Sequence, residues 1–160
     1  MKQKNLWLLV GIPGSGKSTW VKEQMKTNPG AWCSRDNVRF SMISEDEDYF
    51  ARENEVFKAW IFSIQAAIAN EAIENIYVDA THINEASREK VLRRLKNLEN
   101  VNLNAVVFDI PLEICLERNA QRTGRACVPE TAIRNMYNSF RNPALDKRKY
   151  DKIIEMGGSF

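Results

Sequence analysis

Apolar positions along the chain form two kinds of run. Residues 6–10, Leu-Trp-Leu-Leu-Val, are continuous and do not alternate, the pattern of a strand buried on both faces of a parallel sheet. Further short runs at 31–34, 76–78, 103–110 and 152–156 read as four more strands. Between them apolar residues recur at three and four positions. Trp20, Val21 and Met25 mark a helix over 17–26 that the Asn28-Pro29-Gly30 stop ends. Val56, Phe57, Trp60, Ile61, Ile64 and Ile68 mark the longest amphipathic helix, over about 49–74, with an aromatic stripe that reads as core. Asn84 is an N-cap for a basic helix through Val91, Leu92, Leu95 and Leu98. A helix over about 112–121 follows, and then one behind Pro129 through Ile133, Met136, Tyr137 and Phe140, which Asn142-Pro143 stops. Strands alternating with helices predict one α/β domain over 1–160, with a mainly parallel sheet of about five strands and right-handed crossovers.

Composition changes this picture little. The 160 residues are 44% hydrophobic and 28% charged, with a net charge of +2, so no broad basic face is expected. Arginines do gather late in the chain, at Arg118, Arg122, Arg125, Arg134 and Arg141, near Lys147, Arg148 and Lys149. They read equally as a local anion site and as a solvated helix face. Cys33, Cys115 and Cys127 are odd in number and form no C-x-x-C pair, which points to a reducing compartment and away from disulfides or a zinc site. The apolar run after Met1-Lys2-Gln3-Lys4 is too short for a signal peptide, and nothing approaches a membrane span; the expectation is a soluble cytoplasmic protein.

Chemistry enters at Gly11-Ile12-Pro13-Gly14-Ser15-Gly16-Lys17-Ser18, between the first strand and the first helix. This is the phosphate-cradling pattern of Gly, four residues, then Gly-Lys-Ser. Glycines at 11, 14 and 16 tolerate positive φ and bare the backbone, so that N–H groups at a helix start can face phosphate oxygens. Lys17 is placed to reach the β and γ phosphates of a nucleoside triphosphate, and the Ser18 hydroxyl to ligate a bridging Mg²⁺.

In a parallel sheet ligands bind beyond the carboxyl ends of the strands, which selects Asp36 and Asp79. Asp36 opens an Asp-x-x-Arg with Arg39: a carboxylate to take a proton from an attacking hydroxyl, and a cation to hold an anionic group on the acceptor. Asp36 also fits an N-cap. Asp79 fits a magnesium-water ligand, a group that orients Arg39 or the acceptor, or a cap before Thr81. Arg118 and Arg122, four apart, and Arg125 beyond Gly124 form an arginine-bearing lid suited to the charge of phosphoryl transfer, with Arg122 the preferred catalytic member. An ion pair with Glu113 is the ordinary alternative for Arg118. Phe40, Tyr49, Arg35 and Arg52 are candidate acceptor contacts that also read as packing or surface, and His82 reads as a hydrogen-bonding loop residue.

Four blocks in order resemble the kinase domain of phage-type polynucleotide 5′-kinases, within the small P-loop kinases. They are Gly11 through Thr19-Trp20; Ser34-Arg35-Asp36-Asn37-Val38-Arg39; Asp79-Ala80-Thr81 to Asn84; and Val107-Phe108-Asp109-Ile110-Pro111 through Arg118-Asn119, Arg122 and Val128-Pro129 to Met136-Tyr137. The resemblance implies a three-layer P-loop kinase fold with a short lid, and transfer of the ATP γ-phosphate to the 5′-hydroxyl end of DNA or RNA. It implies ATP at Gly11, Pro13, Gly14, Ser15, Gly16, Lys17, Ser18 and Thr19, with the lid arginines Arg118, Arg122 and Arg125. It also implies Asp36 as general base, Arg39 on the acceptor's 3′-phosphate, Asp79 as a required acid, and Mg²⁺ at Ser18 and Asp79. The lid is one residue longer than the family pattern, so Arg122 and Arg125 are exchangeable, and Ala80 stands where threonine is common. No Asp-x-Asp-Gly-Thr motif is present, so the 3′-phosphatase domain of the phage enzyme is not expected. A small-molecule kinase acting on a sugar, nucleoside or antibiotic hydroxyl, and a non-catalytic nucleotide-binding module, remain the other readings. Oligomeric state and the choice between DNA and RNA stay open.

Overall fold

A computed structural model describes residues 4–82, 84–140, 145 and 147–157, without the side chain of Arg125. Five strands, β1 (Lys4–Val10), β2 (Gly30–Ser34), β3 (Asn75–Asp79), β4 (Val101–Asp109) and β5 (Lys152–Gly157), form one sheet in the order β2-β3-β1-β4-β5. All four pairings are parallel. The helices are α1 (Lys17–Thr27), α2 (Arg35–Met42), α3 (Glu53–Ala69), α4 (Glu85–Leu92), α5 (Leu112–Ala120) and α6 (Glu130–Phe140).

The unbroken apolar run of β1 is explained by its central place. Leu6 and Leu8 pack with Trp60 and Ile64 of α3 and Val91 of α4 on one face. Leu9 and Val10 join Val21 of α1, Cys115 of α5, and Ile133 and Phe140 of α6 on the other. The result is three layers, helix on sheet on helix, as expected. Trp60, fully buried, donates its indole N–H to the Cys33 carbonyl at 2.8 Å and so ties α3 to the edge strand β2.

Several boundaries differ from the sequence reading. The long helix starts at Glu53, not at 49, because Asp48 holds a turn in which its carboxylate accepts from Phe50 N–H (3.2 Å) and its carbonyl from Ala51 N–H (2.9 Å). It ends at Ala69 rather than 74. Asn84 does cap α4, reciprocally with Ser87, but that helix stops at Leu92, and Leu95 and Leu98 enter the core outside it. α2 extends the short turn that a cap at Asp36 implies to eight residues with Ser34 as its N-cap, and it turns the charged Arg39 inward where a hydrophobic stripe would signal a helix. Asn142 and Pro143, the expected stop of the last helix, lie outside the described residues. No helix among the described residues is long and apolar enough to cross a membrane.

Topology fixes where the chemistry sits. From β1 the chain leaves toward β2 and β3 on one side and reaches β4 on the other, so the strand order reverses at β1 and a crevice opens at its carboxyl end. Ser34 pairs with Asp79 across β2 and β3, which brings Asp36 and Asp79 to the same edge as residues 11–16.

Candidate active site

Residues 11–16 bend from β1 into α1 through two left-handed glycines, Gly14 (φ 83°) and Gly16 (φ 96°), the latter being the helix N-cap. A Cβ on Gly14 would stand 2.5 Å from the Cys115 carbonyl oxygen, so glycine is required there by space as well as by φ. Gly11 differs from the expectation: its φ is not positive, and its need is close approach, since a Cβ would meet Ser15 Oγ at 2.5 Å. The Gly11 N–H bonds to the Thr81 carbonyl at 2.9 Å, which moors the loop to the end of β3.

Lys17 folds its ammonium over this loop, donating to the carbonyls of Gly11 (2.9 Å) and Ile12 (3.0 Å). Burial lowers its pKa, while the charges of Asp79 and Asp36 oppose the shift. The Ser15 hydroxyl is buried beneath the loop without a partner. A cradle with bare backbone, an orphaned hydroxyl and an inward-facing ammonium fits a polyphosphate.

Asp79, at the end of β3, is almost fully buried, and burial raises its pKa against the pull of Lys17. Trp32 Nε1–H donates to its Oδ2 at 2.9 Å, and the Ser18 hydroxyl lies near enough to favour its charged form. These two partners, rather than a cap before Thr81, are what its carboxylate meets in the structure. Hydroxyl and carboxylate oxygens side by side suit a hard cation such as Mg²⁺, which takes a few protein oxygens and fills its shell with phosphate and water. Among the described residues no group of three or more His, Cys, Asp and Glu side chains could hold a metal ion.

The opposite wall begins at Ser34, whose side chain accepts from Asn37 N–H (3.2 Å) as the N-cap of α2. Asp36 is therefore not the cap, and its carboxylate projects half-exposed into the crevice. Its Oδ1 accepts from the Tyr49 hydroxyl at 2.5 Å and from Arg39 Nη1. Arg39 is buried and also meets both oxygens of Glu53, at 2.6 and 2.9 Å, with its Nε left without a partner. Glu53 takes Arg35 as well, at 2.6 Å.

These walls enclose one cleft of about 650 Å³. Of the residues expected from sequence, it gathers Pro13, Gly14, Gly16, Lys17, Ser18, Thr19, Asp36, Arg39, Asp79 and Arg122. Arg118 lies outside it, bracing the loop from behind by a 3.2 Å bond to the Gly14 carbonyl rather than pairing with Glu113. The helix does not persist to Arg122: α5 ends at Ala120, so the two arginines part, and Arg122 turns into the cleft. Asn119 pins the far end of the lid through paired bonds with Val128, at 2.7 and 2.9 Å. The Arg125 side chain lies outside the described residues. Phe40, Tyr49 and Arg35 also line the cleft, whereas Arg52 turns to Glu47 at 3.2 Å. The sequence does not mark Trp32 and Glu53, whose partners Asp79 and Arg39 are distant along the chain, nor Phe50, which lies in the Asp48 turn where the apolar periodicity predicts a helix.

The chain is similar to several known proteins. The chain is 25% identical over 171 residues to a protein of the Autographa californica nuclear polyhedrosis virus named as a bifunctional polynucleotide kinase/RNA ligase, covering 98% of this chain and 23% of the viral one. Among solved structures, a chain of the Pnkp1/Rnl/Hen1 RNA repair complex superposes with a TM-score of 0.74 at 25% identity, over 94% of this chain and 47% of the other. A fungal RNA kinase shares the fold at a TM-score of 0.67 and 13% identity, over 98% of this chain and 75% of the other. The chain thus spans less than half the length of the first two proteins. The AAA domain family matches residues 6–143, and the chain belongs to that family.

Proposed function

We propose that this chain is a polynucleotide 5′-hydroxyl kinase, transferring the γ-phosphate of ATP to the end of a DNA or RNA strand. The observation that carries the reading is Asp36: a half-exposed carboxylate held by Tyr49 and Arg39 in the same cleft as Lys17 and the phosphate loop. Support comes from the kinase and RNA-repair proteins to which the chain is similar.

In this mechanism the loop amides and Lys17 bind the triphosphate, and Asp36 accepts the proton of the acceptor hydroxyl as its oxygen attacks the γ-phosphorus. The bond from that phosphorus to the bridging oxygen breaks and ADP leaves. Arg122, on the lid, meets the charge that spreads over the transferred group. Arg118 holds the loop in shape. Ser18 and Asp79 would hold Mg²⁺, which neutralises phosphate charge when bound. Arg39, which lines the cleft, fixes Asp36 and is the cation nearest the acceptor's neighbouring phosphate in this reading. With all three cysteines free, the protein suits a reducing compartment such as the cytoplasm.

The test is phosphate transfer from γ-labelled ATP to a 5′-hydroxyl oligonucleotide. Labelled product that is lost in Asp36→Asn, with ATP binding retained, is the expected result; no product from a protein that binds ATP sinks the reading. One observation favours a small-molecule acceptor instead: Asp36 and Glu53 already answer the charge of Arg39. Arg39→Ala separates the two, since a phosphate-bearing acceptor should then lose affinity and a neutral one should not.

A further inference from the structure

Resting on the polynucleotide kinase reading, we infer that Phe50 is the stacking platform for the nucleobase at the accepting end of the strand. Two large hydrophobic side chains are exposed among the described residues, Phe50 at 52% and Phe62 at 76%, and of the two Phe50 lines the cleft. Its ring is presented, not buried. The Asp48 turn fixes its backbone, and the Tyr49 ring stands edge-on to it at 4.7 Å and 81°, leaving ring surface open. Tyr49 in turn touches Asp36, so the open ring sits one side chain away from the proposed base.

Charge explains why a ring is needed here. On this wall Arg35 and Arg39 face Asp36 and Glu53, two positive groups against two negative ones, so little net field remains to draw in a polyanion. Base–aromatic stacking contributes about 1–3 kcal/mol per base and accepts any base, because each has a π face. The buried Arg39 guanidinium, 4.1 Å from the Tyr49 ring centroid and 5.9 Å from that of Phe50, backs these rings and helps hold them in place. A nucleobase presents a π face over its whole ring, which is what an open phenyl ring on this wall can stack.

The experiment compares wild type with Phe50→Ala on two single-stranded 5′-hydroxyl oligonucleotides, identical except that one has an abasic 5′ residue. Wild type is expected to show an acceptor KM about tenfold higher on the abasic strand, a factor within the stacking range. Phe50→Ala should carry that same rise on the intact strand, show no further rise on the abasic one, and leave the KM for ATP in place; Phe50→Trp should restore the wild-type value. The inference is overturned if Phe50→Ala matches wild type on the intact strand, or if it loses as much on the abasic strand as on the intact one. A wild-type protein inactive on every 5′-hydroxyl oligonucleotide overturns the underlying reading and this one together, whereas activity without base dependence overturns this one alone.

Discussion

The Tyr49 hydroxyl donates to Asp36 Oδ1 at 2.5 Å while accepting from Arg39 Nη1 at 2.8 Å. Burial, first of all, and then the charge of Asp36 hold the phenol pKa far above its usual range, so the group stays a donor at any working pH. Both bonds go to Oδ1, so in the proposed mechanism the second oxygen of Asp36 is the one that takes the acceptor's proton. Tyr49→Phe removes this orientation and keeps the ring. Its kcat should fall about tenfold, equivalent to about 1.4 kcal/mol and near the lower end for a hydrogen bond to a charged group. Steady-state kinetics with a 5′-hydroxyl oligonucleotide check this; an unchanged kcat would mean that Asp36 needs no such support.

Arg122 and Arg118 should fail in different ways. Arg122 lines the cleft, so Arg122→Ala removes charge met in the transition state and should lower kcat by about 10²–10³, as loss of one such donor does elsewhere. Arg118 lies outside the cleft and bonds the Gly14 carbonyl of the loop. Arg118→Ala should instead raise the KM for ATP, by about tenfold for a charge-assisted bond, with kcat changed less. Equal effects on kcat from both variants would refute this division.

How much of this was legible beforehand follows from the distance over which each signal acts. The phosphate loop, Asp36 and Asp79 could be read because a strand end and a helix start each leave local marks in sequence. The five strands could be read because parallel strands buried on both faces are continuously apolar. By contrast, Trp32 reaches Asp79 and Glu53 reaches Arg39 across 47 and 14 residues, through packing that no spacing rule encodes. The division between Arg118 and Arg122 hung on where α5 ends, one or two residues that periodicity does not resolve. The extent of α2 leaves little mark in the sequence because its inward position is an arginine, whose second carboxylate partner, Glu53, the fold supplies from α3.

Trp32 offers a test of the metal site that leaves both proposed ligands intact. Its indole N–H fixes Oδ2 of a carboxylate whose burial already disfavours ionisation. Trp32→Phe keeps an aromatic ring and removes the donor. Half-saturation by Mg²⁺ should then require about tenfold more metal, in line with the loss that removal of a hydrogen-bonded support of a ligand produces. Titration of activity with Mg²⁺ at saturating ATP measures it; an unshifted curve would show that Trp32 does not position the acid.

His82 gives the molecule a predictable response to acid. It is the chain's only histidine, buried just beyond β3, stacked on Trp60 at 5.6 Å, and its Nδ1–H donates to the Leu9 carbonyl at 2.6 Å. Since a carbonyl can only accept, the ring is the neutral Nδ1–H tautomer, and Nε2 is buried with no partner. Burial pushes its pKa down to about 4, aided by the charges of Arg35, Lys17 and Arg88 and opposed by the Leu9 bond. In the unfolded chain the imidazole takes a proton near pH 6.5. Between these values the unfolded state binds more protons, so folding stability falls as pH drops from about 6.5 toward 4, by up to about 3 kcal/mol at the acid end. The raised pKa of Asp79 acts in the opposite sense, because the folded state there holds its proton more readily. Wild type should therefore be compared with His82→Asn, which tolerates the positive φ of 48° at this position and leaves Asp79 in place. Urea unfolding at pH 7 and pH 5 should show the wild type losing more stability on acidification than the variant does. Equal losses would mean that the buried imidazole titrates no differently in the folded and unfolded chains.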